Sequence, residues 1–271
     1  MRKALTILFL IFLFFGVSNC ATTQHTIFSK KYNTDPRESF VYISTKRTAT
    51  ICNGEECNSR TMNGSASGVI IKRSHNASYI LTAAHVCDSP SGRAFIAATG
   101  GTLVSEHKAV TLFGKSYKLE ILNFNHITDI CLMRAEGLTS MPPIPRAKTK
   151  PKAGDKVINI AAPLGVFETN VVPIMTGVYI GDRVDGGALF ALPAAGGSSG
   201  SMILNADGEL ISILFAVHIG MNQLTIGTSF EEMTTFIHHS MRTHEHSKMI
   251  RLIAHVIQKG IYYDPRHFAL H

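Results

Sequence analysis

The chain has 271 residues, 45% hydrophobic and 17% charged, and its 26 Lys and Arg against 19 Asp and Glu give a formal charge of +7. So few charges, against roughly 25% in an average soluble protein, exclude disorder and leave material for a sizeable buried core. The positive balance is too mild for a nucleic-acid-binding tail, and a single long apolar run excludes a polytopic membrane protein.

That run opens the chain. Met1-Arg2-Lys3 is basic, and Ala4 to Val17 is almost unbrokenly apolar. It is shorter than the about 20 residues a bilayer-spanning helix needs, so residues 1–20 read as a signal peptide. Val17-Ser18-Asn19-Cys20 resembles a bacterial lipobox, which implies lipidation of Cys20; plain cleavage near Cys20 and an uncleaved membrane anchor are the other two outcomes. All three export the protein to the periplasm, cell envelope or exterior. Residues 21–39 form a polar N-terminal stretch.

From Phe40 the sequence becomes short apolar runs separated by Gly, Asn, Asp and Pro. Strands are predicted at residues 40–45, 67–72, 79–82, 94–99, 109–113, 117–123 and 129–134, and again at 156–161, 171–180, 188–192, 201–204, 209–217 and 224–228. Such lengths and spacing are those of an all-β barrel or sandwich. Between the two sets, Met141 to Asp155 carries four prolines and reads as an exposed connector, giving β units over 40–140 and 156–232. From 233 to 271 the pattern turns helical. Met249, Ile250, Leu252, Ile253, Val256 and Ile257 follow helical spacing, and the helix is expected to dock on its own domain rather than on a membrane.

Five cysteines suit an exported chain that does not depend on a disulfide framework. Cys52 and Cys57 bracket the turn-forming Asn-Gly-Glu-Glu and are the pair expected to bridge. Cys87 and Cys131 sit in apolar segments and read as buried thiols. Cys52-x4-Cys57 has no second paired set, so no metal is expected.

Three short segments carry chemistry. Leu81-Thr82-Ala83-Ala84-His85 ends a predicted strand, Asp129-Ile130-Cys131-Leu132 begins one, and Gly196-Gly197-Ser198-Ser199-Gly200-Ser201 is a glycine-rich turn leading into another. A hydroxyl needs a base to become a nucleophile, and the base needs an orienting acid; Ser199, His85 and Asp129 can supply those roles. His126 is the competing base. The order His, Asp, Ser is that of the chymotrypsin template, with base and acid in the first unit and nucleophile in the second.

On these motifs the chain resembles the trypsin/chymotrypsin-like serine endopeptidases over roughly residues 40–240. Within them it is most similar to HtrA-type and other bacterial or viral trypsin-like domains, without a PDZ module. Ala153-Gly-Asp-Lys-Val157, Ala162-Pro-Leu-Gly165 and Asn205-Ala-Asp-Gly-Glu-Leu-Ile211 are further echoes. The resemblance implies two antiparallel six-stranded β-barrels with C-terminal helices, a protein or peptide substrate, and no cofactor. It also implies an oxyanion hole from the backbone N–H groups of Gly197 and Ser199. Digestive relatives place an aspartate just before the nucleophile; here Ser198 stands there, so activation through a buried new N-terminus is not expected. The substrate pocket is expected around Pro193, Leu214, Phe215 and Ala216, none of them acidic, which favours a small or medium apolar residue before the cut. The alternative is a non-catalytic envelope-binding protein on the same fold.

Overall fold

Along the first strand Val41, Ile43 and Thr45 are buried while Tyr42 and Ser44 are only partly covered, the period-two alternation of a strand with one face inward. The computed structural model describes residues 34–218 and 220–258. The signal segment, Cys20 and the last 13 residues lie outside the described residues. Twelve strands form two closed barrels. The first holds β1 (Phe40–Asn53), β2 (Glu56–Arg73), β3 (Ala77–Thr82), β4 (Thr102–Thr111), β5 (Ser116–Asn125) and β6 (Ile130–Glu136). The second holds β7 (Lys156–Ile160), β8 (Ile174–Asp182), β9 (Ala188–Ala191), β10 (Met202–Asn205), β11 (Leu210–His218) and β12 (Met221–Gly227). The strand order is β1-β2-β3-β6-β5-β4 in one and β7-β8-β9-β12-β11-β10 in the other, the same circuit twice. Every pairing within the barrels is antiparallel.

Each barrel fills its own interior, and a third apolar layer joins them. Ile80, Cys131 and Met133 point into the first barrel, while their neighbours Leu81, Ile130 and Leu132 point outward against Ile158, Ile160, Met202 and Ile213 of the second. Strand β3 is therefore buried on both faces, which explains its unbroken apolar run. Phe40 lies in the joining layer with no exposure; truncating it to Ala should cost about 3–5 kcal/mol.

Four expectations are corrected. Residues 94–99 are not a strand but part of a helix, α2 (Pro90–Ala98), which follows a single-turn helix, α1 (Ala84–Cys87). Pro90 at the first turn supplies a helical φ, and the alanines of this segment favour helix over sheet. Second, the connector is not simply exposed. Met141, Ile144 and Ala147 are buried, Ile144 N–H donates to Ile70 O, and Leu210 N–H donates to Pro145 O, so it is laced to both barrels. Third, among the described residues a single C-terminal helix, α3 (Phe230–Gln258), starts well before the predicted amphipathic segment. Its docking face is Met233, Phe236, Ile237 and Met241, whereas Met249, Ile250 and Ile253 stay about half exposed. A reciprocal cap starts it: Ser229 N–H donates to Glu232 Oε2 and Glu232 N–H to Ser229 Oγ. Among the described residues no helix is long and apolar enough to cross a membrane. Fourth, Cys87 and Cys131 are not thiols. They form a disulfide, because the β3–β6 register sets Cys131 opposite Thr82 and leaves the two Cα atoms 6.6 Å apart. The loop it closes spans 44 residues, for which unfolded-state entropy suggests about 4 kcal/mol. Cys52 and Cys57 are bridged at the exposed tip of the β1–β2 hairpin.

Behind α1, His107 is buried, with its Nδ1 3.0 Å from Thr45 Oγ1. Burial, then the nearby Arg47 charge, holds its pKa below the ordinary 6.5. The unfolded chain therefore binds this proton more readily than the folded one. Stability falls as pH drops below about 6.5 and recovers as it rises through that window. Thermal melting from about pH 7 to about pH 5 should show a smaller acid loss in His107→Gln than in the wild type. Equal slopes would show that His107 does not contribute.

Candidate active site

The site lies where the open ends of β3, β6 and β10 meet. β3 runs into α1, which carries His85 just past the strand; β6 begins one residue after Asp129; and the turn 196–201 leads into β10. The β3–β6 register fixes the distance between base and acid. Asp129 holds His85 at two points: its Oδ1 accepts the His85 backbone N–H at 3.0 Å, and its Oδ2 lies 2.8 Å from His85 Nδ1. A carboxylate can only accept, so Nδ1 carries the proton and Nε2 presents a lone pair. Asp129 sits at φ 47°, a left-handed conformation uncommon outside glycine and better tolerated by Asp and Asn. The His85 side chain is 45% exposed and that of Asp129 21%, so the ring is reachable while its acid is partly shielded.

His126 is turned elsewhere. Its Nε2 lies 2.8 Å from Asp88 Oδ2, and Arg93 pairs with the other oxygen of the same buried carboxylate. The competing base therefore has its own partner, apart from Asp129.

The glycine-rich turn is held by β2 of the first barrel and by the segment between β7 and β8 of the second. Ser67 N–H donates to Ser199 O at 2.8 Å, Ser67 Oγ donates to Gly197 O at 2.9 Å, and Leu164 N–H donates to Gly196 O. Ser67 Oγ in turn accepts from Ala162 N–H, and Ser67 O accepts from Thr82 Oγ1. The carbonyls of 196, 197 and 199 are thus all engaged. Among the described residues, the N–H groups of Gly197 and Ser199 donate to no protein acceptor. An unengaged donor pair beside an accessible hydroxyl is the arrangement that receives an oxyanion. Ser67, which anchors this turn, is absent from the residues singled out in the sequence. Its only trace was a polar residue entering the apolar run Gly68-Val-Ile-Ile71.

Ser198 and Ser199 differ sharply. Ser198 is fully buried, and its Oγ accepts the Ala195 N–H, whereas Ser199 is half-buried at the surface of the turn. No hydrogen bond joins Ser199 Oγ to His85; free enzymes commonly leave this contact loose until substrate binds. Gly200 brings the turn against β3, since a Cβ there would meet Thr82 Oγ1 at 2.1 Å and Ser67 O at 2.2 Å. Gly197 has φ +93°, and a Cβ on it would sit 2.4 Å from Ala162 O. Gly197→Ala should therefore turn its peptide away and remove one donor, lowering kcat by about 10²–10³-fold with KM little changed. Steady-state kinetics on folded variant would check this, and an unchanged kcat would remove Gly197 from the oxyanion site.

Of the expected pocket residues, Phe215 and Ala216 are partly buried and Pro193 is exposed. Leu214 is 1% exposed and packs into the second barrel's core, so its side chain is sealed away from any open pocket. Two acids earlier in the chain, Asp182 at the end of β8 and Asp185 just after it, are engaged: Asp182 by Lys150 and the Tyr179 hydroxyl, Asp185 by Arg183. Among the described residues no group of three or more His, Cys, Asp or Glu side chains is arranged to hold a metal ion.

Residues 66–213 match the family model of the trypsin-like peptidase domain. That is more than half of the chain, which belongs to this family. In fold it is similar to the crystal structure of the serine endoprotease from Yersinia pestis, with a TM-score of 0.56 and 16% sequence identity over 78% of this chain and 68% of that one. No curated protein sequence matches the chain.

Proposed function

We propose that this trypsin-like peptidase is an exported serine endopeptidase whose nucleophile is Ser199, whose general base is His85 and whose orienting acid is Asp129. The observation that carries the reading is the two-point grip of Asp129 on His85, which leaves Nε2 free to accept a proton beside the anchored turn. Ser199 Oγ attacks the scissile carbonyl while His85 Nε2 takes its proton. The oxyanion is received by the N–H groups of Gly197 and Ser199, and His85 then returns the proton to the leaving amine. Water repeats the sequence to release the acyl group from Ser199. Asp129 keeps the imidazole in the useful tautomer and stabilises the imidazolium that forms. Labelling by a fluorophosphonate probe, mapped to Ser199 by mass spectrometry, tests the reading; a folded, export-mature protein that neither labels nor cleaves peptides would refute it.

The substrate is a protein or peptide. The segments expected to line the pocket, from Pro193 and from Phe215 to Ala216, bring no carboxylate, and Asp182 and Asp185 already have cationic partners. A buried Arg or Lys head group would stand unpaired there at a cost of several kcal/mol. Cleavage after Val, Ala, Leu or Met should exceed cleavage after Arg by about tenfold or more, roughly 1.4 kcal/mol. Peptide-library profiling decides it, and dominant cleavage after Arg or Lys would overturn it. The basic-then-apolar opening of the chain supports export, with attachment through lipidated Cys20 as the form the Val17–Cys20 pattern favours; cell fractionation with and without Cys20→Ala separates anchored from released protein.

A further inference from the structure

We propose that the Cys87–Cys131 disulfide is a positioning device for the base–acid pair, so that full turnover requires it closed; this rests on the roles proposed for His85 and Asp129. Cys87 lies two residues after His85, and Cys131 two residues after Asp129. The covalent bond and the His85–Asp129 hydrogen bonds therefore span the same sequence separation of 44 and run side by side. Neither partner of the pair is held firmly by its own element. His85 rides on α1, four residues long and without a side-chain cap at its start; a helix that short has no stability of its own. Asp129 stands outside β6 in left-handed backbone, and Ile127 just before it is almost fully exposed.

What holds α1 in place comes from three directions. Asp129 accepts from the His85 backbone, Arg47 Nη2 donates to the carbonyls of His85 and Val86 at 3.0 and 3.2 Å, and Cys131 holds the far end of the helix. Arg47 and Cys131 both stand in ladders, Arg47 opposite Met62 and Ser105 and Cys131 opposite Thr82 and Phe124, but only the tie to Cys131 is covalent. Both sulfur-bearing residues are buried, at 3% and 0% exposure, so the brace works from inside the first barrel. Opening it leaves the hydrogen bonds intact on paper but frees α1 to shift against β6, and a displacement of about 1 Å at a reacting pair can cost about 10²-fold.

The test compares Cys87→Ala/Cys131→Ala with Cys52→Ala/Cys57→Ala, which removes only the exposed hairpin bridge. The charged groups around His85, namely Arg47, Asp88 with Arg93 and His126, and Asp129, are the same in both. The expected result for the first pair is a kcat lowered about tenfold or more with KM little changed. The NMR resonance of the His85 Nδ1–H proton should also shift, as its hydrogen bond to Asp129 loosens. The hairpin variant should match the wild type in all three. A second arm opens the buried bond in Cys52→Ala/Cys57→Ala with a dithiol, which leaves as its cyclic disulfide and passes two electrons and two protons to the cysteine thiols. Alkylation mapped to Cys87 and Cys131 measures the opened fraction, and kcat and the His85 Nδ1–H resonance should follow it and recover on reoxidation. Wild-type kcat and an unmoved Nδ1–H resonance in a folded, open protein would overturn the proposal. So would unfolding in both arms, which would make the bond a brace for the barrel alone. A wild-type chain that cleaves no peptide while its His85 Nδ1–H resonance still follows the bond would sink the peptidase reading and leave the positioning intact.

Discussion

Ser199→Ala is expected to abolish fluorophosphonate labelling and to lower kcat by about 10⁶-fold, the scale on which removal of a serine nucleophile acts when its base and acid are left behind. The rival is adjacent in sequence, and burial separates the two. Ser198 has no exposure, and its Oγ accepts from the Ala195 N–H, so it has no access to substrate, and its hydroxyl makes no hydrogen bond to His85. Ser198→Ala should lose one modest hydrogen bond, about 1 kcal/mol of stability, and keep its labelling. Labelling that survives Ser199→Ala and disappears in Ser198→Ala would move the nucleophile back by one residue.

The second large effect is at the acid. Asp129→Asn should lower kcat by about 10⁴-fold with KM nearly unchanged, the size seen when the triad acid of a chymotrypsin-type enzyme becomes an amide. The reason lies in the two bonds Asp129 accepts. An amide offers one oxygen and one NH₂ group. With its oxygen on the His85 backbone N–H, its NH₂ donates to Nδ1 and drives the ring proton to Nε2, where it blocks proton transfer from Ser199. Asn also tolerates the left-handed backbone at this position, so the loss should arise in the chemistry rather than in folding. Steady-state kinetics and a thermal melt of the variant check both halves. A kcat within about tenfold of the wild type would show that another group orients His85.

How much of this was legible in the linear sequence follows from the range of each interaction. The two-barrel architecture followed from the family resemblance; strand periodicity is a local property, and it located most of the twelve strands. It failed at 94–99 because an apolar run of that length does not distinguish strand from buried helix, and Pro90 and the alanines settled the matter. It also stopped short of the far halves of β1 and β2, where Lys46 to Thr50 pair with both β2 and β4 and only Ile51 to Asn53 pair with β2 alone. The helical spacing of Met233, Phe236, Ile237 and Met241 was present in the sequence but overshadowed by the more apolar segment further along.

The sequence by itself determined the identities and chain order of His85, Asp129 and Ser199, because each stands in a short motif whose flanking residues are near in sequence. It also contained the glycine at 197 and the apolar alternation that closes each barrel. Tertiary structure alone decided what depends on register between distant strands. The pairing of β3 with β6 brings Asp129 to His85 and joins Cys87 to Cys131. The packing of one barrel on the other sets Ser67 against the glycine-rich turn and leaves Ser198 sealed while Ser199 stays partly exposed. The common strand circuit of the two barrels has no counterpart in an internal sequence repeat, since antiparallel closure constrains the alternation of buried positions and not which apolar residue fills them.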